Sequence, residues 1–203
     1  MKFKVLLIAC LCATNLVISR NLNKMNWLNE PSSWEVEDGN LKMQVISQSD
    51  YWHITHYGFT VDDGPFYYTT RGGEFEVSVK ITGNYKTRFD QMGLMLRIDE
   101  EHWIKTGIEY VDGVYNFSTV VANVHSSWSL VELDEKPESL WIKAERRIDA
   151  VDIFYSFDGI NYKMSNVAYL PVMVCMMSAS PDGDGFILYL KNFRLKICLM
   201  YDV

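Results

Sequence analysis

Two neighbouring apolar runs, Asp90–Ile98 and Trp103–Tyr110, carry polar or aromatic residues at alternate positions. Side chains of a β-strand point to opposite faces in turn. As strands, the runs place Gln91, Gly93, Met95 and Arg97 on one face and Met92, Leu94, Leu96 and Ile98 on the other. In the second run Trp103, Lys105, Gly107 and Glu109 share a face, opposite Ile104, Thr106, Ile108 and Tyr110. An amide, two cations, a carboxylate and an indole then lie together. Such a mixture suits a polar ligand with an apolar plane: the indole stacks and the polar groups orient. A carbohydrate presents that combination, with Trp103 as the expected stacking surface. The competing reading is an outer sheet surface laced with ion pairs, Lys105 with Glu109 among them.

The candidate catalytic groups are Asp90 and Glu109. Glycoside hydrolysis needs two carboxyl groups about 5–5.5 Å apart for retention or about 6.5–9.5 Å for inversion. The Glu-x-Asp-x-x-Glu strand motif of the jelly-roll glucanases does not occur, and Glu74 and Glu76 read as charges on an edge strand. There is no Gly-x-Ser-x-Gly, Cys-x-x-Cys or His-Glu-x-x-His, so neither a serine nucleophile nor a metal or other cofactor is expected. His53 and His56 fall on opposite faces of a strand. Asp182-Gly183-Asp184-Gly185 lacks the remaining ligands of a calcium loop and reads as a hairpin turn. Asn116-Phe117-Ser118 is a glycosylation sequon inside an expected strand, where a glycan would obstruct the polar face.

The elements that must position these residues are strands. Of 203 residues, 48% are hydrophobic and 14% aromatic, a composition that favours a folded, β-rich chain. After Lys24 no helical periodicity appears. Short runs alternate with turn signals such as Asp38-Gly39, Asp112-Gly113 and Asp158-Gly159. This spacing predicts an all-β sandwich or barrel. A net charge of −7 argues against nucleic acid as partner, and no apolar run reaches the roughly 18–20 residues of a membrane span.

The chain opens with Lys2 and Lys4 followed by the apolar run Val5–Ala13, the pattern of a signal peptide. Val17 and Ser19 suit cleavage before Arg20. The expected organisation is a signal peptide over 1–19, a domain over 20–198 and a tail over 199–203, in a secreted protein. A start at Met25 would make it cytoplasmic. Cys10 and Cys12 would leave with the signal, and Cys175 and Cys198 remain as one disulfide or two buried thiols.

Several segments resemble the regulation-of-enolase-protein family, a domain family without an established biochemical function. They are Asn26-Trp27-Leu28-Asn29-Glu30-Pro31, Asp50-Tyr51-Trp52, Asp90-Gln91-Met92-Gly93, Trp103-Ile104-Lys105-Thr106-Gly107-Ile108-Glu109, Trp128-Ser129, Ser156-Phe157-Asp158-Gly159 and Ser180-Pro181. The resemblance implies a concanavalin A-like jelly roll of two antiparallel sheets with a concave binding face. It brings Trp128 to that face beside Gln91, Arg97, Trp103, Lys105 and Glu109. It also implies a possible protein partner through regulation inside cells. The chain departs from the family at Gly64-Pro65, where Gly-His is common, and at Ser127, where Asp is common. Losing those side chains weakens a catalytic reading and leaves a binding surface.

Overall fold

The computed structural model describes residues 16–18, 22–169 and 173–197. The chain begins with β1 (Leu16–Ile18), a single 3₁₀ turn (Leu22–Lys24), β2 (Asn26–Leu28), β3 (Trp34–Glu37) and β4 (Asn40–Gln44). There follow β5 (Tyr51–His53), β6 (Thr60–Asp62), β7 (Phe66–Thr69) and β8 (Phe75–Gly83). A meander comes next: β9 (Gln91–Arg97), β10 (His102–Val111), β11 (Val114–Asn123) and β12 (His125–Glu132). The last strands are β13 (Leu140–Arg147), β14 (Ala150–Ser156), β15 (Lys163–Tyr169), β16 (Met173–Ala179) and β17 (Ile187–Ile197).

These strands form the sandwich of two large antiparallel sheets that the alternation implied. An eight-stranded sheet runs β15-β14-β13-β8-β17-β4-β3, with β1 also paired to β17. A seven-stranded sheet runs β12-β11-β10-β9-β16-β7-β2. The apolar halves of the strands meet between them. Val77, Val79, Ile81, Ile142 and Leu190 from the first sheet pack with Met92, Leu94, Leu96, Ile104 and Phe117 from the second. Burying each such side chain contributes roughly 1.5–3 kcal/mol, which fixes the register, since a one-residue slip would expose the whole set.

Two hairpins show how the turn residues act. Asp38 and Gly39 between β3 and β4 have φ of 49° and 72°, and Asp112 and Gly113 between β10 and β11 have 51° and 89°. Paired positive φ values are those of a tight turn whose twist matches its strands. The Asp182–Gly185 segment is different. It joins β16 in one sheet to β17 in the other, so it is a corner between sheets and not the hairpin its composition suggests. Glu76 likewise lies on β8, between β13 and β17 in the sheet interior, and not on an edge.

Leu16–Ile18 pair with Leu195–Ile197, so the end of the expected signal peptide contributes a short strand. Most of that segment lies outside the described residues, as do Cys198 and the 199–203 tail, and with them the question of the cysteine pair. Among the described residues no helix is long and apolar enough to cross a membrane.

A small third sheet stands apart. β5 and β6 pair only with each other, in register Tyr51↔Asp62 and His53↔Thr60. This hairpin lies as a flap over the outward face of the seven-stranded sheet.

Candidate functional site

The outward face is built by β9, β10 and β11 in the register Gln91↔Glu109↔Asn116 and Met95↔Lys105↔Val120. At the other end of the face Arg97 pairs with Trp103, and Trp103 with Ala122. Gln91, Arg97, Trp103, Lys105 and Glu109 therefore project to one side. Between the glutamate and lysine rows Gly93 faces Gly107. A Cβ on Gly93 would lie 1.9 Å from the Thr106 carbonyl oxygen, and one on Gly107 2.0 Å from that of Met92. The close approach of these two strands admits no side chain at either position.

The flap divides the face in two. Over the Arg97–Trp103 end it seals the sheet. Tyr51 and Trp52 pack with Phe66, Met95, Trp103, Val120 and Met177 in a second apolar cluster. Trp103 is 1% exposed, and its indole N–H donates to the Glu100 carbonyl at 3.1 Å. It is a packing residue and not an accessible stacking plane. Arg97 forms a two-armed ion pair with Asp62 at the flap base, 2.7 Å for the Nη2–Oδ2 arm, and is committed there. Backbone anchors add to this: His53 N donates to Ser126 Oγ at 3.0 Å, and the His53 ring bonds the Val124 carbonyl.

At the opposite end a cavity of about 270 Å³ remains open. Its floor holds Gln91, Lys105 and Glu109. One wall is Trp52, Tyr57 and Phe59 of the flap, and the other is Phe89 and Trp128. Tyr57 and Phe59 stack at 5.7 Å between centroids, and Phe89 meets Trp128 edge-on at 6.2 Å. Arg88 and Asp182 stand at the rim.

The buried polar groups of the floor are mutually satisfied. Lys105 Nζ donates to Asp50 Oδ1 at 3.1 Å and to the Tyr51 carbonyl at 2.7 Å. Gln91 Nε2 reaches Asp50 Oδ1 at 3.3 Å and the Phe89 carbonyl at 3.2 Å. Glu109, 5% exposed, accepts from Trp128 Nε1 at 2.9 Å. The same N–H lies 3.2 Å from Ser118 Oγ. Burial pushes the Glu109 carboxyl above the usual glutamate range. The Lys105 charge and the hydrogen bonds from Ser118 and Trp128 oppose that rise without cancelling it. A carboxyl poised in this way can accept hydrogen bonds from a ligand or hold a proton for one.

The expected Asp90–Glu109 pair is not assembled. Asp90 precedes β9 on the opposite face from Gln91. Its Oδ2 accepts from the Lys86 and Thr87 amides at 2.8 and 3.0 Å, and its Oδ1 from Ser180 Oγ at 2.5 Å. It caps a turn and ties it to Ser180, just beyond β16. The carboxylate beside the site is Asp50, which the spacing of the meander gave no reason to single out. Only its place in the Asp50-Tyr51-Trp52 segment marked it. Asn116 is 6% exposed on the same face, with its amide on the Val114 carbonyl at 3.1 Å, which leaves no room for an attached glycan. Among the described residues no group of three His, Cys, Asp or Glu side chains could hold a metal ion.

Residues 27–198 match the model of a family described as proteins of unknown function, DUF1349. The chain is 32% identical over 176 residues to Regulation of enolase protein 1 of Saccharomyces cerevisiae, an alignment covering 84% of this chain and 89% of that one. A solved structure of a functionally unknown protein from Saccharomyces cerevisiae superposes with a TM-score of 0.85 at 30% identity, over 89% of this chain and 100% of the other. A xylan β-1,4-xylosidase from Bacillus halodurans C-125 shares the fold at a TM-score of 0.64 and 12% identity, over 83% of this chain but 35% of the enzyme.

Proposed function

The chain belongs to the DUF1349 family, and we propose that its cavity binds a carbohydrate. The observation that carries this reading is the pairing of two aromatic walls with a floor of buried, hydrogen-bonded polar groups. Trp128 and Phe89 on one side, and Tyr57 and Phe59 on the other, offer ring faces to the apolar plane of a sugar. Glu109 and Asp50 offer carboxylate acceptors to its hydroxyl groups. Of the residues expected to bind, Gln91, Lys105, Glu109 and Trp128 line this cavity, whereas Trp103 and Arg97 hold the flap that bounds it. A glycan array probed with the full-length protein tests the reading. Retention of a defined set of glycans is expected, and retention of none would sink it.

A second reading, a glycan hydrolase or lyase, draws support from Glu109 alone. A buried carboxyl that keeps its proton to higher pH suits general acid chemistry. Asp90 has no part in it. Release of free sugar by the native protein, abolished in Glu109→Gln with binding retained, would favour catalysis over binding.

The basic start and the apolar run Val5–Ala13 support export, with cleavage before Arg20. N-terminal sequencing of protein collected from the medium tests this. Finding the protein only inside cells would favour an interaction module, toward which the name of the yeast relative points.

A further inference from the structure

Building on the carbohydrate reading, we infer that the cavity takes the single terminal residue of an uncharged glycan and not a stretch of its interior. The first argument is shape. An extended sugar chain needs a groove that runs through the site. Here the flap covers the outward face at the Trp103 end, where Tyr51, Trp52, Met95 and Trp103 pack in one cluster and none is more than 8% exposed. The Arg97–Asp62 ion pair locks that end. At the Glu109 end the cavity is bordered by Phe89, Pro181 and Asp182. The volume of about 270 Å³ falls below the roughly 300–1,000 Å³ of sites for larger ligands, and suits one ring.

The second argument is charge. Two cations border the cavity and both are engaged. Lys105 is held by Asp50 at 3.1 Å in a buried pair, with side chains 6% and 17% exposed; Arg88 pairs with Asp112 at 3.0 Å more loosely, in solvent, with side chains 52% and 69% exposed. Glu109 on the floor and Asp182 at the rim carry no such ion pair among the described residues. A carboxylate or sulfate on the ligand would meet these two acids and displace no other anion from a cation without cost. Hydroxyl groups, by contrast, find acceptors.

The test uses full-length protein and neutral mono-, tri- and hexasaccharides of xylose, glucose, galactose and mannose, with uronate-capped versions of each oligomer. For the sugar that binds, affinity should change by no more than about twofold from one residue to six, and should fall at least about tenfold with a terminal uronate. Asp182→Asn, at an exposed corner, should narrow the gap between neutral and uronate-capped ligands. Affinity climbing about tenfold with chain length, or equal affinity for the capped forms, overturns this inference and leaves carbohydrate binding standing. Failure of every sugar to bind overturns the carbohydrate reading and this inference with it.

Discussion

The indole nitrogen of Trp128 lies 2.9 Å from Oε2 of Glu109 and reaches it from the edge strand β12, across β11, to β10. One residue thus supplies both an exposed ring wall and a donor to a buried carboxyl. Trp128→Ala should weaken ligand binding by about 1–3 kcal/mol, since it removes the wall and the donor together. Trp128→Phe keeps a ring and should recover part of that loss. Trp128 is 37% exposed, so its ring adds little to Tm, but both changes remove the donor to buried Glu109 and should cost a similar, modest stability of about 1–3 kcal/mol. Calorimetric titration with the ligand, paired with thermal melts, checks both statements.

Glu109 should make stability fall as pH rises. Its folded-state pKa is raised by burial above the value in the unfolded chain. The folded protein therefore holds this proton more tightly, and the stabilisation is fully present below the unfolded value. It is lost as pH climbs through the raised, folded value. Glu109→Gln, which cannot ionise, should lack that contribution. Comparing Tm of the two proteins from acid to neutral pH, the native protein should lose ground to the variant across this window. Parallel curves would refute the assignment.

The Lys105–Asp50 pair joins the sheet to the start of the flap. Removing the lysine leaves a mostly buried carboxylate with a weaker set of partners. Lys105→Met should cost about 3–5 kcal/mol, the usual penalty for orphaning one member of a buried pair. For a domain of this size that is roughly a 6–20 °C drop in Tm. The double variant Lys105→Met/Asp50→Asn should recover much of the loss, and a thermodynamic cycle of the four proteins measures how much.

Trp103→Ala should destabilise by about 3–5 kcal/mol, because the ring fills the interior under the flap. Ligand affinity of the fraction that remains folded should change far less than in Trp128→Ala. A loss of binding in Trp103→Ala without a fall in Tm would return the indole to the role of stacking plane.

The meander was legible because a local rule governs it. Alternation along Gln91–Arg97 and His102–Val111 assigns each side chain to a face without knowledge of any other part of the chain. Glu109, Lys105 and Gln91 were found that way. Whether a face is open depends on what lies over it, and alternation carries no such information. Trp103 shares its face with Glu109, yet one is sealed beneath Tyr51 and Trp52 and the other borders a cavity. The role of Asp50 is out of reach of that rule for the same reason, since it meets Lys105 across 55 positions of sequence. The Asp182–Gly185 corner has hairpin composition, and only the placement of β16 and β17 in different sheets distinguishes the two.

The flap has a bearing on how this family could change over evolutionary time. Because β5 and β6 form a ladder of their own, residues 54–59 at their tip can lengthen, shorten or be rewritten without re-registering either large sheet. That tip supplies Tyr57 and Phe59, two of the five rings that wall the cavity, while Lys105, Gln91 and Glu109 come from the sheet. Exchanging that one short loop would therefore change which rings border the cavity while leaving the polar floor and the sandwich as they are.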